Sequence, residues 1–131
     1  MCVFTSQVIG HKLRIRHPSP LPKIAVLDPR LMLPMPPGVT MATGIDALSH
    51  GTECFTQVRE HPFADTLALQ VIQLIAENLP TVVKNGRNEA ARSNMALAAT
   101  MAGTAFEVGG LQFHAYAQAL GARYHAPHGV T

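Results

Sequence analysis

The chain has little charge and few aromatic side chains. Charged residues make up 14% of its 131 residues, aromatic residues make up 5%, and tryptophan is absent. The net charge of +2 is small and scattered along the chain, which argues against a nucleic-acid-binding surface. Hydrophobic residues make up 47%, so the chain can bury a core, and global disorder is excluded. The length fits one domain or a piece of a larger protein.

Cysteine is also scarce. Cys2 and Cys54 are too few for a disulfide framework, and they have no metal-finger spacing. Reduced thiols of this kind predict a cytoplasmic protein. The first residues lack the basic region and apolar core of a signal peptide. We expect no apolar run of membrane-spanning length, and therefore no membrane partner.

The first part of the chain has the pattern of short β-strands. Strand-forming residues and alternation over residues 1–16 predict a hairpin with its turn at Gly10-His11-Lys12. A compact apolar run at 24–27 predicts a further strand. Because a two-stranded unit is only marginally stable in water, these strands are expected to belong to a larger sheet. The dipeptide Pro36-Pro37 then favours entry into a helix.

From about residue 38 helical periodicity dominates, which predicts a mainly α fold with a helical bundle. The expected helices run at about 39–57, 63–79, 88–107 and 111–124. Pro80 is expected to end the second helix, and Asn85-Gly86 to form a turn before the third. The alanine-rich third helix is interpreted as a packing helix. The residues expected to face the core from the first helix are Met41, Ile45, Leu48 and Phe55.

Asp46 and His50 are the first candidate site residues. They lie four residues apart, which places both on one face of the predicted helix. A carboxylate and an imidazole in this arrangement can bind one metal ion, and His114 and His128 are candidates to complete the ligand set. One aspartate with three histidines suits ferrous iron and also zinc. An ordinary polar helix face is the alternative for Asp46 and His50 alone.

Several motifs in consistent order resemble the iron-containing alcohol dehydrogenase family. The resemblance extends over nearly the whole chain, so it does not depend on one short motif. The motifs are Asp28-Pro29, Pro36-Pro37, ATGIDALSH at 42–50, the segment 91–95, AGTAF at 102–106, and the segment 120–129.

The resemblance implies a metal centre between an α/β nicotinamide-binding domain and a helical domain. Residues 1–37 would be the C-terminal remnant of the former, and residues 38–131 the first part of the latter. The metal ligands map to Asp46, His50, His114 and His128, with Fe²⁺ as the expected ion and Zn²⁺ as the alternative. The metal would act as a Lewis acid on a small alcohol or aldehyde, with NAD or NADP carrying the hydride. Homo-oligomers are expected as well.

Two positions bear on the cofactor. Gln118 stands where many relatives carry a histidine near the nicotinamide, and glutamine cannot serve as a general acid or base. His125 is a candidate substitute for a proton relay, with an exposed histidine as the alternative. Lys12 matches a lysine that approaches the cofactor in relatives, and a solvated turn lysine is the alternative.

The glycine-rich segment that holds the pyrophosphate in this family is absent from the sequence. We therefore expect the 131-residue chain alone to have little or no dehydrogenase activity. Two other interpretations stay open. The chain could be a metal-binding helical domain without catalysis, or a helical interaction domain whose histidines are incidental.

Overall fold

A computed structural model gives the fold, and it describes residues 2–6, 8, 11–15, 17, 22–58, 60–109, 113–124, 126 and 128–131. This part of the chain is mainly α, as predicted. Its strands are β1 (Cys2–Ser6) and β2 (His11–Ile15). Its helices are α1 (Pro37–Phe55), α2 (Pro62–Lys84), α3 (Glu89–Gly109) and α4 (His114–Tyr124), with short 3₁₀ turns η1 (Pro29–Met32) and η2 (His128–Val130).

The N-termini of three helices have local sequence signals. Pro37 occupies the first turn of α1, where a missing N–H costs nothing. At the start of α2, the His61 ring accepts a hydrogen bond from the Ala64 N–H, while Asp65 accepts one from the His61 N–H. The Asn88 side chain caps α3 by accepting the Ala91 N–H at 3.0 Å. The side-chain caps of α2 and α3 satisfy donors that a helix leaves unpaired at its first turn, and the proline of α1 removes one such donor.

The core lies between α1, α2 and α3. Val71, Ile75 and Val82 of α2 are the largest fully buried side chains. Opposite them α3 contributes alanines, which let the helix backbones approach closely. The prediction that α3 is a packing helix is therefore confirmed, and its buried alanines are Ala91, Ala96, Ala98, Ala102 and Ala105.

The prediction for the buried face of α1 was wrong. Met41, Ile45 and Phe55 are 41–45% exposed, and only Leu48 packs against the core. The buried stripe consists instead of small residues and one carboxylate. A Cβ on Gly51, for example, would lie 2.9 Å from Val71, so α1 and α2 are too close there for a larger side chain. The stripe comprises Thr40, Gly44, Ala47, Gly51, Glu53 and Cys54.

The predicted end of α2 at Pro80 was also wrong. The helix continues through Pro80 to Lys84. Proline in a helix interior removes one hydrogen bond, but burial of Leu79 and Val82 on either side favours continuation. The polypeptide then turns at Gly86, as its sequence predicted.

The predicted hairpin is confirmed, but its turn was placed too late, because His11 and Lys12 pair with β1 as part of β2. The prediction of a third strand was wrong. β1 pairs antiparallel with β2, in a register that sets Cys2 opposite Ile15 and Thr5 opposite Lys12. Residues 24–27 have no regular structure, and Ile24 is 79% exposed. A strand forms only by pairing, and no described segment pairs with these residues.

One helix is longer and more apolar than expected, since the sequence analysis predicted no apolar run of membrane-spanning length. By length and composition alone, α2 could cross a membrane, with a mean hydropathy of 1.3 over its most apolar 18 residues. Core helices of globular domains meet the same criterion. One face of α2 packs against α1 and α3, and 33% of that 18-residue segment is buried.

A buried arginine fixes the start of α1. The Arg92 side chain of α3 is only 2% exposed and donates hydrogen bonds to Gly86 O, Thr40 Oγ1 and Met35 O. These acceptors lie in the turn before α3, in the first turn of α1 and in the loop before α1. The arginine therefore ties three segments together and orients the helix that carries Asp46.

Candidate metal centre

Helix α1 presents three polar side chains to one side of the molecule. Asp46, His50 and Glu53 follow the spacing i, i+4 and i+7, which places them on one helix face. Helix α4 and the turn η2 lie over this face, with His114 at the start of α4 and His128 at the start of η2. The centre is thus built from three separate parts of the chain.

Three of the four predicted ligands come together through their side-chain tips. Asp46 Oδ1 lies 3.4 Å from His114 Nε2 and 3.5 Å from His128 Nε2. The two Nε2 atoms are 2.6 Å apart, which is hydrogen-bond distance. All three atoms lie within 4.8 Å of one another, a grouping that can hold a metal ion. His114 is buried, while Asp46 and His128 are partly buried.

The fourth predicted ligand, His50, lies beside this group rather than in it. Its ring stacks on the His114 ring with centroids 4.3 Å apart, and on the Phe106 ring at 5.5 Å. Burial lowers the pKa of His50, an effect that the nearby Asp46 carboxylate opposes. A neutral imidazole retains the lone pair that a metal requires. The role of His50 as a metal ligand stays a prediction.

Glu53 is a site residue whose role the sequence reasoning missed. Its carboxylate is buried and faces the start of α4, where Oε2 accepts hydrogen bonds from the N–H groups of Phe113 and His114. Its Oε1 lies 3.4 Å from His114 Nδ1. The available signal was the i, i+4, i+7 stripe on α1, which already contained Asp46 and His50.

Close backbone approach holds η2 against α1. A Cβ on Gly129 would collide with the carbonyl oxygen of Ala42, so the two backbones nearly touch at this position. Glycine is the residue that permits such an approach. Gly129 follows His128 directly, and the contact therefore fixes how far the His128 ring stands from Asp46.

The two cofactor candidates lie on neighbouring elements. Gln118 is partly buried in α4, one turn after His114. Lys12 lies in strand β2, where it pairs with Thr5, and this strand contacts α4. The Lys12 side chain and His125 lie outside the described part of the chain, so their predicted roles are untested.

Two cavities open on the centre. One of about 290 Å³ lies between α1 and η2 and is mostly apolar, with Val39, Ala42 and Val130 beside Asp46 and His128. The other, of about 270 Å³, lies on the α4 side, where Tyr116 and Ser49 adjoin Asp46 and His114. A small molecule in the first cavity would lie beside Asp46 and His128, and one in the second would lie beside all three residues.

Sequence comparison decides the family. Residues 40–131 match the model of the Fe-containing alcohol dehydrogenase family, C-terminal part. This chain belongs to the iron-containing alcohol dehydrogenase family. The resemblance noted from its motifs is thereby confirmed.

Curated relatives in this family match the whole chain but extend far beyond it. The chain is 44% identical over 128 residues to a probable alcohol dehydrogenase of Salmonella typhimurium, covering 97% of the chain and 32% of the relative. It is 43% identical over 131 residues to the 1,3-propanediol dehydrogenase of Citrobacter freundii, covering 99% and 34%. The chain thus spans about a third of the length of the curated relatives it matches.

Solved structures of the family have the same fold. An archaeal alcohol dehydrogenase from a Red Sea brine pool matches with a TM-score of 0.91 and 33% identity, covering 98% of this chain and 32% of that one. The sulfoacetaldehyde reductase of Bifidobacterium kashiwanohense, solved with NAD+, matches with a TM-score of 0.90 and 34% identity, covering 97% and 34%. The helical arrangement described here is therefore that of the family.

Proposed function

We propose that this chain forms the metal-binding part of an NAD(P)-linked alcohol dehydrogenase that interconverts small alcohols and aldehydes. The observation that carries the proposal is the meeting of Asp46 Oδ1, His114 Nε2 and His128 Nε2 within 4.8 Å. In the same proposal, residues 1–37 belong to the nicotinamide-binding domain and residues 38–131 to the helical domain. Relatives named as alcohol and propanediol dehydrogenases support this substrate class.

The donor set fits the ion that the family name implies. Two ligand atoms bound to one ion at about 2.1 Å lie roughly 3–3.5 Å apart. Both distances from Asp46 to the histidines, 3.4 and 3.5 Å, agree with this, whereas the two histidine nitrogens, 2.6 Å apart, would have to separate slightly around an ion. One carboxylate with imidazoles suits Fe²⁺ and also Zn²⁺. We infer that Asp46, His114 and His128 bind the ion, with His50 as the fourth ligand. When bound, the ion supplies Lewis-acid polarisation of the substrate oxygen, and the nicotinamide carries the hydride.

The chain's own residues supply charge, orientation and an apolar surface. Asp46 contributes a negative charge that attracts a cation, and the lowered pKa of His50 keeps that ring neutral. The mostly apolar cavity beside Asp46 and His128 has room for a short carbon chain. Gln118, one turn from His114, can orient a hydroxyl by hydrogen bonding but cannot exchange a proton with it.

Metal binding by purified protein tests the proposal. We expect about one Fe²⁺ or Zn²⁺ per chain, lost in Asp46→Ala and bound at least about tenfold more weakly in His128→Ala. His17→Ala is the matched control, because His17 is an exposed histidine outside the donor group. Equal binding by the His128 variant and the native chain would refute the ligand assignment. In His50→Ala, an unchanged affinity would show that His50 only stacks.

Catalysis is tested separately. Hydride transfer from NADH or NADPH to propanal distinguishes a dehydrogenase from a metal-binding domain without catalysis. We predict little or no turnover by the 131-residue chain, because its sequence lacks the glycine-rich pyrophosphate segment. Turnover comparable to that of the full-length relatives would contradict this prediction.

A further inference from the structure

Glu53 is a carboxylate in the buried stripe of α1, where the other members are small residues. The residue is only 9% exposed, although it carries a carboxylate. Removing such a group from water costs several kcal/mol unless partners replace the lost solvation. Among the described residues, its partners are the backbone N–H groups of Phe113 and His114, at the start of α4, and the His114 ring, some 60 residues later in the chain.

The contacts of Oε2 fix where α4 begins. The N–H groups of Phe113 and His114 donate to this oxygen at 2.8 and 3.0 Å. The first N–H groups of a helix have no partner within the helix, and a carboxylate near them also interacts favourably with the helix dipole. Glu53 therefore caps α4 from another helix, and the backbone position of His114 depends on it.

The contacts of the two ring nitrogens decide which His114 nitrogen carries the proton. An ionised carboxylate only accepts hydrogen bonds, and the His114 ring meets one at each nitrogen, with Glu53 Oε1 3.4 Å from Nδ1 and Asp46 Oδ1 3.4 Å from Nε2. The two nitrogens differ because Nε2 also faces His128 Nε2 at 2.6 Å, a group that can donate to it, so a proton on Nδ1 leaves both nitrogens of the neutral ring with a suitable partner. Nε2 is then left with its lone pair, and it faces Asp46 and His128. His128 Nε2 lies 2.6 Å from this nitrogen and can donate to its lone pair when the His128 ring is protonated at Nε2.

We propose that Glu53 is a positioning residue, which caps α4 and holds His114 in the Nδ1–H tautomer so that Nε2 is ready to bind a cation. The proposal deepens the metal-centre assignment and rests on it for its function. The tautomer itself is a property of the metal-free chain and can be tested without any metal.

The isosteric variant Glu53→Gln provides a sharp test. The amide oxygen can still accept the two backbone N–H groups, but its NH₂ group then faces Nδ1 and needs an acceptor there. His114 is expected to switch to the Nε2–H tautomer, which blocks the nitrogen that faces Asp46. The matched control is Glu77→Gln, because Glu77 is exposed on α2 and its carboxylate accepts a hydrogen bond from the Gln73 side chain.

Two measurements together decide the question. Nitrogen-15 NMR of the metal-free chain at about pH 8, where histidine is neutral, reports the His114 tautomer directly. We expect Nδ1–H in the native chain and in Glu77→Gln, and Nε2–H in Glu53→Gln. Zn²⁺ affinity, measured by competition with a chelator, should fall about 10- to 100-fold in Glu53→Gln and stay unchanged in Glu77→Gln.

The outcomes separate this inference from the metal-centre assignment. A native His114 protonated at Nε2 would overturn the inference, and so would a Glu53→Gln variant that binds Zn²⁺ as tightly as the native chain. If the native chain binds no metal but shows the Nδ1–H tautomer, the assignment of the centre fails while the effect of Glu53 on the ring stands. If Glu53→Gln does not fold, the native tautomer and the Zn²⁺ affinity of Glu53→Asp decide the question instead. Glu53→Asp is suitable because aspartate retains a carboxylate acceptor.

Discussion

The close approach of α1 to α2 at Gly51 gives a prediction about stability. Replacing Gly51 by alanine places a Cβ 2.9 Å from Val71 Cγ1 and 3.3 Å from the Ala68 carbonyl oxygen. Carbon atoms in good contact are about 3.5–4.0 Å apart, so the new atom intrudes by more than about 0.5 Å. Val71 is fully buried and β-branched, so it has little freedom to move away. We expect the helices to separate or the chain to lose stability.

The magnitude follows from a comparison with Gly103. A Cβ on Gly103 meets nothing within 4 Å, so Gly103→Ala gains helix propensity without a clash. That gain is about 0.5–1 kcal/mol and applies equally to Gly51→Ala. Overpacking costs about 1–3 kcal/mol, and only the Gly51 variant incurs it. The free energies of unfolding of the two variants should therefore differ by about 1–3 kcal/mol.

Urea denaturation with a chelator present measures this difference without a contribution from bound metal. With an m-value of about 1.5 kcal/mol/M, a difference of about 2 kcal/mol separates the two midpoints by about 1.3 M. Gly103→Ala should unfold at higher urea than the native chain, and Gly51→Ala at lower urea. The reasoning is refuted if both variants unfold at the same urea concentration, or if Gly51→Ala is the more stable.

Two further predictions concern the centre itself. Gly129→Ala should push η2 away from α1 and weaken Zn²⁺ binding at least about tenfold, whereas Gly38→Ala, which meets no neighbour within 4 Å, should bind normally. Equal affinities in a chelator competition would show that η2 adapts. Burial lowers the pKa of His50, so below about pH 6.5 the unfolded chain binds a proton that the folded chain does not. The free energy of unfolding of the metal-free chain should therefore decrease as the pH is lowered, and it should decrease less steeply in His50→Phe. Identical slopes of unfolding free energy between about pH 7.5 and pH 5.5 would contradict this.

Local signals in the sequence predicted most of the elements. Helical periodicity, proline at the start of α1 and the turn at Gly86 depend on neighbours within a few residues, and these predictions hold. The hairpin holds for the same reason. The end of α2 does not, because continuation through Pro80 depends on burial against other helices, which the local sequence does not record.

The sequence by itself determined that Asp46, His50 and Glu53 share one helix face, since that spacing is a property of any α-helix. It also determined the family, through motifs distributed over the chain. Only the tertiary structure decided which face of α1 is buried, because close helix packing selects small side chains at the points of approach over the larger ones nearby. Packing likewise brought His114 and His128 to Asp46, stacked His50 beside them, and set Glu53 against the start of α4. Those contacts join residues up to 82 positions apart, from Asp46 to His128, and spacing along the chain carries no information about such distances.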